Sequence, residues 1–428
     1  MASRRVKLAR VAAVLSIAAC GAIGIYGAII ESLRNGFFDV IHNTVGGRAV
    51  PADRYIPGAP EPLKLSYTGV APVDGYLLGM IGFFSPFLDG ERTWDVDVSY
   101  WYIMVHLCAG WVLMSVEGMR KGNAGLAVSW TGVMGLIFQS VTYTVTVPVW
   151  LIMHLLTSPV AKGDPAAGAV DAADMALLPA CAALAFIFPA IMMNLPSPSV
   201  LPAASHYGWI AFWNAFPLWQ SIHHWVLRRL VAPSASAARM AAADVNQRPG
   251  VAAAAKPTPT ARSVYKFILA LCATSQLALL GLALTPYTAV PAGWAPGWTA
   301  LFKQVDLSSA FVPTLPRGDV GAVGFASFGG RRVPGDFLPP LAKIFLQWDV
   351  YSANAAMLIW AVYVYGVSRS VWKAAGHITA QTSGLLVAVK SVGWFLVGGP
   401  VATATFLLWE RDEAAVRVMT VVSTKKTR

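Results

Sequence analysis

The chain has 428 residues, of which 56% are hydrophobic and only 12% charged, and its mean hydropathy is +0.56. That balance excludes a soluble globular domain and defines a polytopic integral membrane protein. The formal net charge of +11 does not denote nucleic-acid binding, because the basic residues gather at the ends of apolar runs and in one connecting segment, where they face anionic lipid headgroups.

In chain order, the sequence predicts an all-α transmembrane bundle of about eight helices, within a range of seven to nine, carrying a large Gly/Pro-rich extramembrane loop. The apolar runs lie near 11–30, 101–118, 125–157, 175–195, 207–227, 266–290, 342–368 and 384–409. Most reach the ~20 residues that a bilayer crossing requires. The first follows Arg4, Arg5, Lys7 and Arg10 and is long enough to be a retained anchor, not a cleaved signal. Residues 74–88 are shorter and glycine-rich, which fits a tilted span, a re-entrant piece or a buried lining segment. Residues 231–262 have the Ala, Pro and Ser content of a flexible linker. They separate an N-terminal half, 1–230, holding the anchor and cavity segments, from a C-terminal half, 263–428, and the halves together form one membrane domain. Residues 291–340 read as an extramembrane lid or cap.

Cys20, Cys108, Cys181 and Cys272 lie in apolar runs without CxxC spacing and read as packing residues. Basic clusters at the N-terminus, at Arg120–Lys121 and at Arg228–Arg229 cannot all share one side of the membrane if three spans separate the last two pairs. One cluster is therefore expected to break the positive-inside rule. The final residues, Lys425 to Arg428, match a di-lysine retrieval signal and point to the endoplasmic reticulum.

Acids at hydrocarbon depth are costly and mark function. Glu117 ends one apolar run, Asp349 opens another, and Asp74 and Glu410 sit at the ends of two more. Each has a structural alternative. Glu117 can pair with Arg120 or Lys121 at i+3 or i+4, Asp349 can cap a helix N-terminus, and Asp74 can cap residues 75–88. Glu410 can join Arg411, Asp412 and Glu413 in a headgroup-level ion network.

His106 lies three turns before Glu117 on nearly the same side of its helix, and His154 reads as a helix contact. His223–His224 lack a third ligand in step, so no metal site is expected. Mg²⁺ at Asp95 and Asp97, with Asp89 and Glu91 nearby, is weighed and not favoured over a solvated acidic loop. Gln139 and Tyr143 are spaced i, i+4 and aim their polar tips along one line, with interhelical hydrogen bonding as the alternative.

Six strings carry a resemblance: SYTGVAPVD (66–74), GFFSPFLDG (82–90), EGMRKGNAG (117–125), HLLTSP (154–159), FLQWD (345–349) and LLWERDE (407–413). The chain resembles a family of fungal integral membrane terpene cyclases from indole-diterpene and ascofuranone-type meroterpenoid pathways. The likeness covers most of the chain outside the N-terminal anchor and the 231–262 linker. It implies an enzyme that cyclises a polyprenyl chain, often one bearing a terminal epoxide, by protonation and cation–olefin ring closure.

Such chemistry needs a carboxylic acid held neutral, which desolvation favours, and aromatic faces for the cation. The catalytic candidates are Asp349, Glu117, Asp74, Glu410 and Asp89. Asp349 or Glu117 is the expected proton donor, with the other carboxylate or a water removing the last proton. Phe83, Phe84, Trp101, Tyr102, Gln139, Tyr143, Trp348 and Tyr351 are expected to bind substrate.

No cofactor is expected, since cyclisation is an isomerisation and the sequence has no DDxxD, NSE, DxDD, GxGxxG or P-loop pattern. The expected partners are a lipophilic terpenoid entering from the bilayer and the membrane lipids; oligomeric state is left open. The rival reading is a proton- or cation-coupled transporter of a lipophilic metabolite, weakened by the absence of an internal repeat. A third is a non-catalytic scaffold.

Overall fold

A computed structural model describes residues 2–45, 63–89, 92–246, 259–289, 296–314, 338–376 and 384–426. Among the described residues there are helices and turns but no strands. The helices are α1 (Arg5–Arg34), α2 (Phe37–Val45), α3 (Ala71–Leu88), α4 (Trp94–Gly118), α5 (Thr131–Val141), α6 (Tyr143–Thr157) and α7 (Ala172–Met193). They continue with α8 (Ala203–Asn214), α9 (Phe216–Asn246), α10 (Pro259–Leu284), α11 (Pro296–Gln304), α12 (Leu307–Phe311), α13 (Leu338–Ala374) and α14 (Gly384–Lys426). Seven of these, α1, α3, α4, α7, α10, α13 and α14, are long and apolar enough to cross a membrane. The fold is the expected all-α polytopic bundle. Helix α4 is its centre, with Tyr102, Ile103, Met104 and every residue from His106 to Gly118 buried.

The run 125–157, expected as a span, is instead a re-entrant hairpin. It breaks at Thr142, whose φ of 122° and ψ of 158° no helix accommodates. The arms of 11 and 15 residues rise ~16 and ~22 Å, short of a ~30 Å hydrocarbon core. Both outer ends return to the end of α4. Asn123 Nδ2 donates to Glu117 O at 2.8 Å and Ser158 Oγ lies 2.5 Å from Asn123 Oδ1, while a Cβ at Gly118 would collide with Thr131. The chain thus dips to mid-depth at Thr142 and comes back.

That reversal corrects the expected conflict among the basic clusters. With the hairpin making no crossing, Arg120 and Arg228 share one end of the bundle. Lys121 N donates to Ala169 O at 2.8 Å, and Arg228 Nη2 lies 3.2 Å from Asp171 Oδ1. The C-terminal end of α13 joins them through Trp372 Nε1 to Gly163 O at 2.7 Å, and the start of α1 through Arg10 Nε to Tyr363 Oη at 3.1 Å.

Helix α14 also folds back on itself. Gly399 (φ 70°, ψ −167°), followed by Pro400, interrupts it, and Thr403 Oγ1 donates to Ser391 O at 3.3 Å. Twelve residues of uninterrupted helix span ~18 Å, so this contact requires two arms side by side. The run 207–227 divides at Ala215 into α8 and α9. Helix α9 continues to Asn246 into the expected linker, of which residues 247–258 lie outside the described set. In the expected lid, α11 and α12 are described, and residues 290–295 and 315–337 lie outside.

Candidate active site

A chamber of about 200 Å³ sits at the tip of the α5–α6 hairpin. Helices α1, α2, α3, α4, α8 and α13 supply the rest of its wall, and among the described residues Asp349 is the only acid in that lining. Phe83 of α3 packs edge-on against Phe84 at 5.1 Å and Phe345 at 5.0 Å, and Phe84 meets Trp213 of α8 at 5.0 Å. Edge-to-face rings at these separations hold one another in place, so the wall is firm.

The chemistry of the tip follows from the break. A helix that starts at mid-depth has free N–H groups and no water to satisfy them. Asp349 answers two of them: Oδ1 accepts from Thr144 N at 2.8 Å and Oδ2 from Tyr143 N at 3.3 Å. Asp349 lies inside α13, eleven residues past its start at Leu338, so it is not the cap of its own helix that its position suggested. It caps α6 instead. Thr144 Oγ1 and Ser352 Oγ, 2.6 Å apart, continue the seam, and Gly24 of α1 fits there because a Cβ would collide with both. Gln139 Nε2 is buried without a hydrogen-bond partner, and both Gln139 and Thr142 line the chamber, the Thr142 hydroxyl beside Asp349.

The other acids are held elsewhere. Glu117, fully buried, accepts from Arg120 Nε at 2.7 Å and from Arg411 Nη2 at 2.7 Å and Nη1 at 3.1 Å. Arg120 also pairs with Asp412 at 2.9 Å, which accepts from Tyr265 Oη at 2.7 Å. His154 Nε2 stands 3.8 Å from Glu117 while its Nδ1 accepts from Trp360 Nε1 at 3.1 Å. This network ties α4, α6, α10 and α14 at the basic end.

Asp74 lies in the first turn of α3, which starts at Ala71, so it does not cap residues 75–88. Its oxygens accept from Ser66 Oγ (2.8 Å), Thr68 Oγ1 (2.8 Å) and the backbone N–H groups of Tyr67, Thr68 and Gly69. Burial raises the neighbouring Tyr67 phenol well above its usual pKa, with Tyr207 and Asp74 adding to the shift. Asp89 is buried 3.1 Å from His206 Nε2. Glu410 is half-buried within α14, not at a helix exit, since the helix runs to Lys426.

Of the expected lining residues, Phe83, Phe84, Gln139 and Tyr143 meet in the chamber. Trp101 faces outward at 40% exposure, beside a separate cleft with Arg92 and Asn194. Tyr102 donates to Gln276 Oε1 at 2.7 Å and packs on His106, away from the chamber. Trp348 and Tyr351 donate to the backbone oxygens of Thr314 (3.2 Å) and Ala310 (2.7 Å), anchoring the loop over α13.

Asp95 and Asp97 are matched by Lys343 at 2.5 Å and Arg92 at 2.6 Å. Among the described residues no cluster of three His, Cys, Asp or Glu side chains is placed to hold a metal ion. Thr142, Phe345 and Trp213 were missed in the sequence. The length of the run 125–157, well beyond one crossing, was the available sign of a reversal.

A helical membrane protein with an aromatic chamber that carries one acid in its described lining is a class suited to apolar substrates. The CtvD-domain family model matches residues 11–416, and the chain belongs to that family. It is 26% identical over 351 residues to terpene cyclase ascI of Acremonium egyptiacum, covering 81% of this chain and 79% of that protein. It is 24% identical over 407 residues to terpene cyclase atmA of Aspergillus flavus (90% and 93%). Terpene cyclase ctvD of Aspergillus terreus is 25% identical over 403 residues (93% and 97%). No solved structure matches. This kinship supports a terpene cyclase function.

Proposed function

We propose that the chain is a membrane-bound terpene cyclase in which Asp349 protonates the terminal epoxide or alkene of a polyprenyl substrate and starts cation–olefin ring closure. One observation carries this reading: of the five candidate acids, Asp349 is the one that lines an aromatic chamber. A proton and a surface for the cation are the two things the reaction needs, and aromatic faces supply the second. The backbone N–H groups of Tyr143 and Thr144 receive the carboxylate left after transfer. The same carboxylate then takes back the proton lost when the final alkene forms, so the reaction is a net isomerisation and needs no cofactor or metal.

Drug-sized ligands occupy about 300–1,000 Å³, more than this chamber holds. It therefore takes the reacting end of a longer meroterpenoid or terpenoid chain that enters sideways from the bilayer. The basic end of the bundle faces the cytosol by the positive-inside rule, in a membrane of the endoplasmic reticulum.

Microsomes holding the protein, incubated with epoxidised polyprenyl phenols and indoles, test the reading by mass spectrometry of the products. A cyclised isomer lost in Asp349→Asn is expected. Unchanged substrate concentrated inside the vesicles would favour a transporter, and neither outcome would favour a scaffold.

A further inference from the structure

We propose that the groove between α13 and the folded-back α14 binds one anionic phospholipid, an acyl chain lying along it and the phosphate held by Arg369 and Lys373. The groove is open to the surface, has a volume of about 810 Å³ and shares no residue with the chamber. Its deep part is apolar, walled by Leu358, Val362, Phe395 and Leu407, while Arg369 and Lys373 line its other end on α13.

The groove exists because of the Gly399 break. The arm 384–398 leaves its partner arm there and returns beside α13, with Thr403 bonded to Ser391 across the fold. The result is a slot with three helical walls, unlike the single convex surface that annular lipid meets.

Length and charge both select the occupant. From Leu358, near the middle of α13, to Lys373 the helix rises ~22 Å. That is about half of the ~40–45 Å full thickness of a bilayer, so the slot runs from mid-depth to headgroup level in one leaflet. Its cationic mouth lies at the basic end of the bundle, where Trp372 bonds to Gly163 and Arg10 bonds to Tyr363. Anionic lipids concentrate in the leaflet that basic flanks face. Arg369 is held in place at the mouth, donating to Tyr365 Oη at 2.7 Å with its guanidinium 5.7 Å from that ring. A zwitterionic choline headgroup would set a cation against these two.

Native mass spectrometry of the full chain, purified in detergent, stripped of lipid and titrated with phosphatidic acid or phosphatidylcholine, tests the proposal. The expected result is retention of one phosphatidic acid in preference to phosphatidylcholine. Arg369→Gln/Lys373→Gln should weaken phosphatidic acid binding about 30-fold, equivalent to about 1 kcal/mol for each basic residue. Val392→Trp, which fills the slot and leaves both cations in place, should abolish retention while helicity and elution volume stay unchanged. Equal retention of the two lipids would reduce the site to annular contact and overturn the proposal, as would a wild-type preference in either variant.

Discussion

Asp349 and Thr144, 205 positions apart in the chain, are joined by a 2.8 Å hydrogen bond in which the α13 carboxylate caps the first turn of α6. The helix start is there because Thr142 breaks the preceding run, and the acid is there because a helix start at mid-depth needs an acceptor. One contact therefore holds the hairpin tip and places an acid at the chamber wall.

The capping role of Asp349 and its proposed role as proton donor come apart under substitution. Asparagine caps a helix about as well as aspartate but has no proton to give, so Asp349→Asn should keep the unfolding midpoint in detergent and lower product formation by roughly 10²–10⁴-fold. Asp349→Ala should lose both, with stability falling by about 1 kcal/mol. Comparable activity in Asn and wild-type protein would remove Asp349 from the chemistry.

Glu117 should behave in the opposite way. With no exposure to solvent and two guanidiniums on its oxygens, Glu117→Gln leaves buried positive charge uncompensated. Breaking such a pair costs about 3–5 kcal/mol. The yield of folded protein should drop, and product per folded molecule should hold, as measured by turnover normalised to the monodisperse fraction. Lost turnover at unchanged stability would instead assign Glu117 to the reaction.

Thr142 occupies a backbone region that is nearly exclusive to glycine, at a cost of about 1–3 kcal/mol. Thr142→Gly should raise the unfolding free energy within that range. It also deletes a hydroxyl that stands beside Asp349 in the chamber wall. If that hydroxyl orients substrate, KM should rise while stability improves, a combination that a purely structural residue would not produce.

The membrane class and helical content were legible because composition alone decides them, and Phe83 and Phe84 because the aromatic-rich passage entering the membrane stands out. Asp349 was legible as an acid beside an apolar run, but its partner was not, since no local pattern links α13 to α6. Glu117 shows the same limit: Arg120 at i+3 can be read from spacing, whereas Arg411 is 294 positions away. Both hairpins escaped for a different reason. Hydropathy measures how oily a segment is and is blind to its direction, so a run that dips and returns scores like one that crosses. Only length distinguishes them, and the apparent conflict among the basic clusters is the one crossing that the α5–α6 hairpin does not make.

Phe84 and Trp213, 5.0 Å apart and both in the chamber lining, test whether the aromatic wall steers the cation. A ring face within reach of a positive charge in a dry site stabilises it by up to about 2 kcal/mol, or about 30-fold in partition between ring closure and capture by water. Phe84→Leu and Trp213→Leu keep an apolar surface but remove the quadrupole. Each should therefore lower the ratio of fully cyclised to hydroxylated or partly cyclised products by 2- to 30-fold, with total substrate consumption changing less, because the proposed proton donor, Asp349, is left intact. Product ratios from gas or liquid chromatography with mass detection measure this directly. An unchanged ratio in both variants would mean that shape alone, and not the electrostatics of the rings, guides the intermediate.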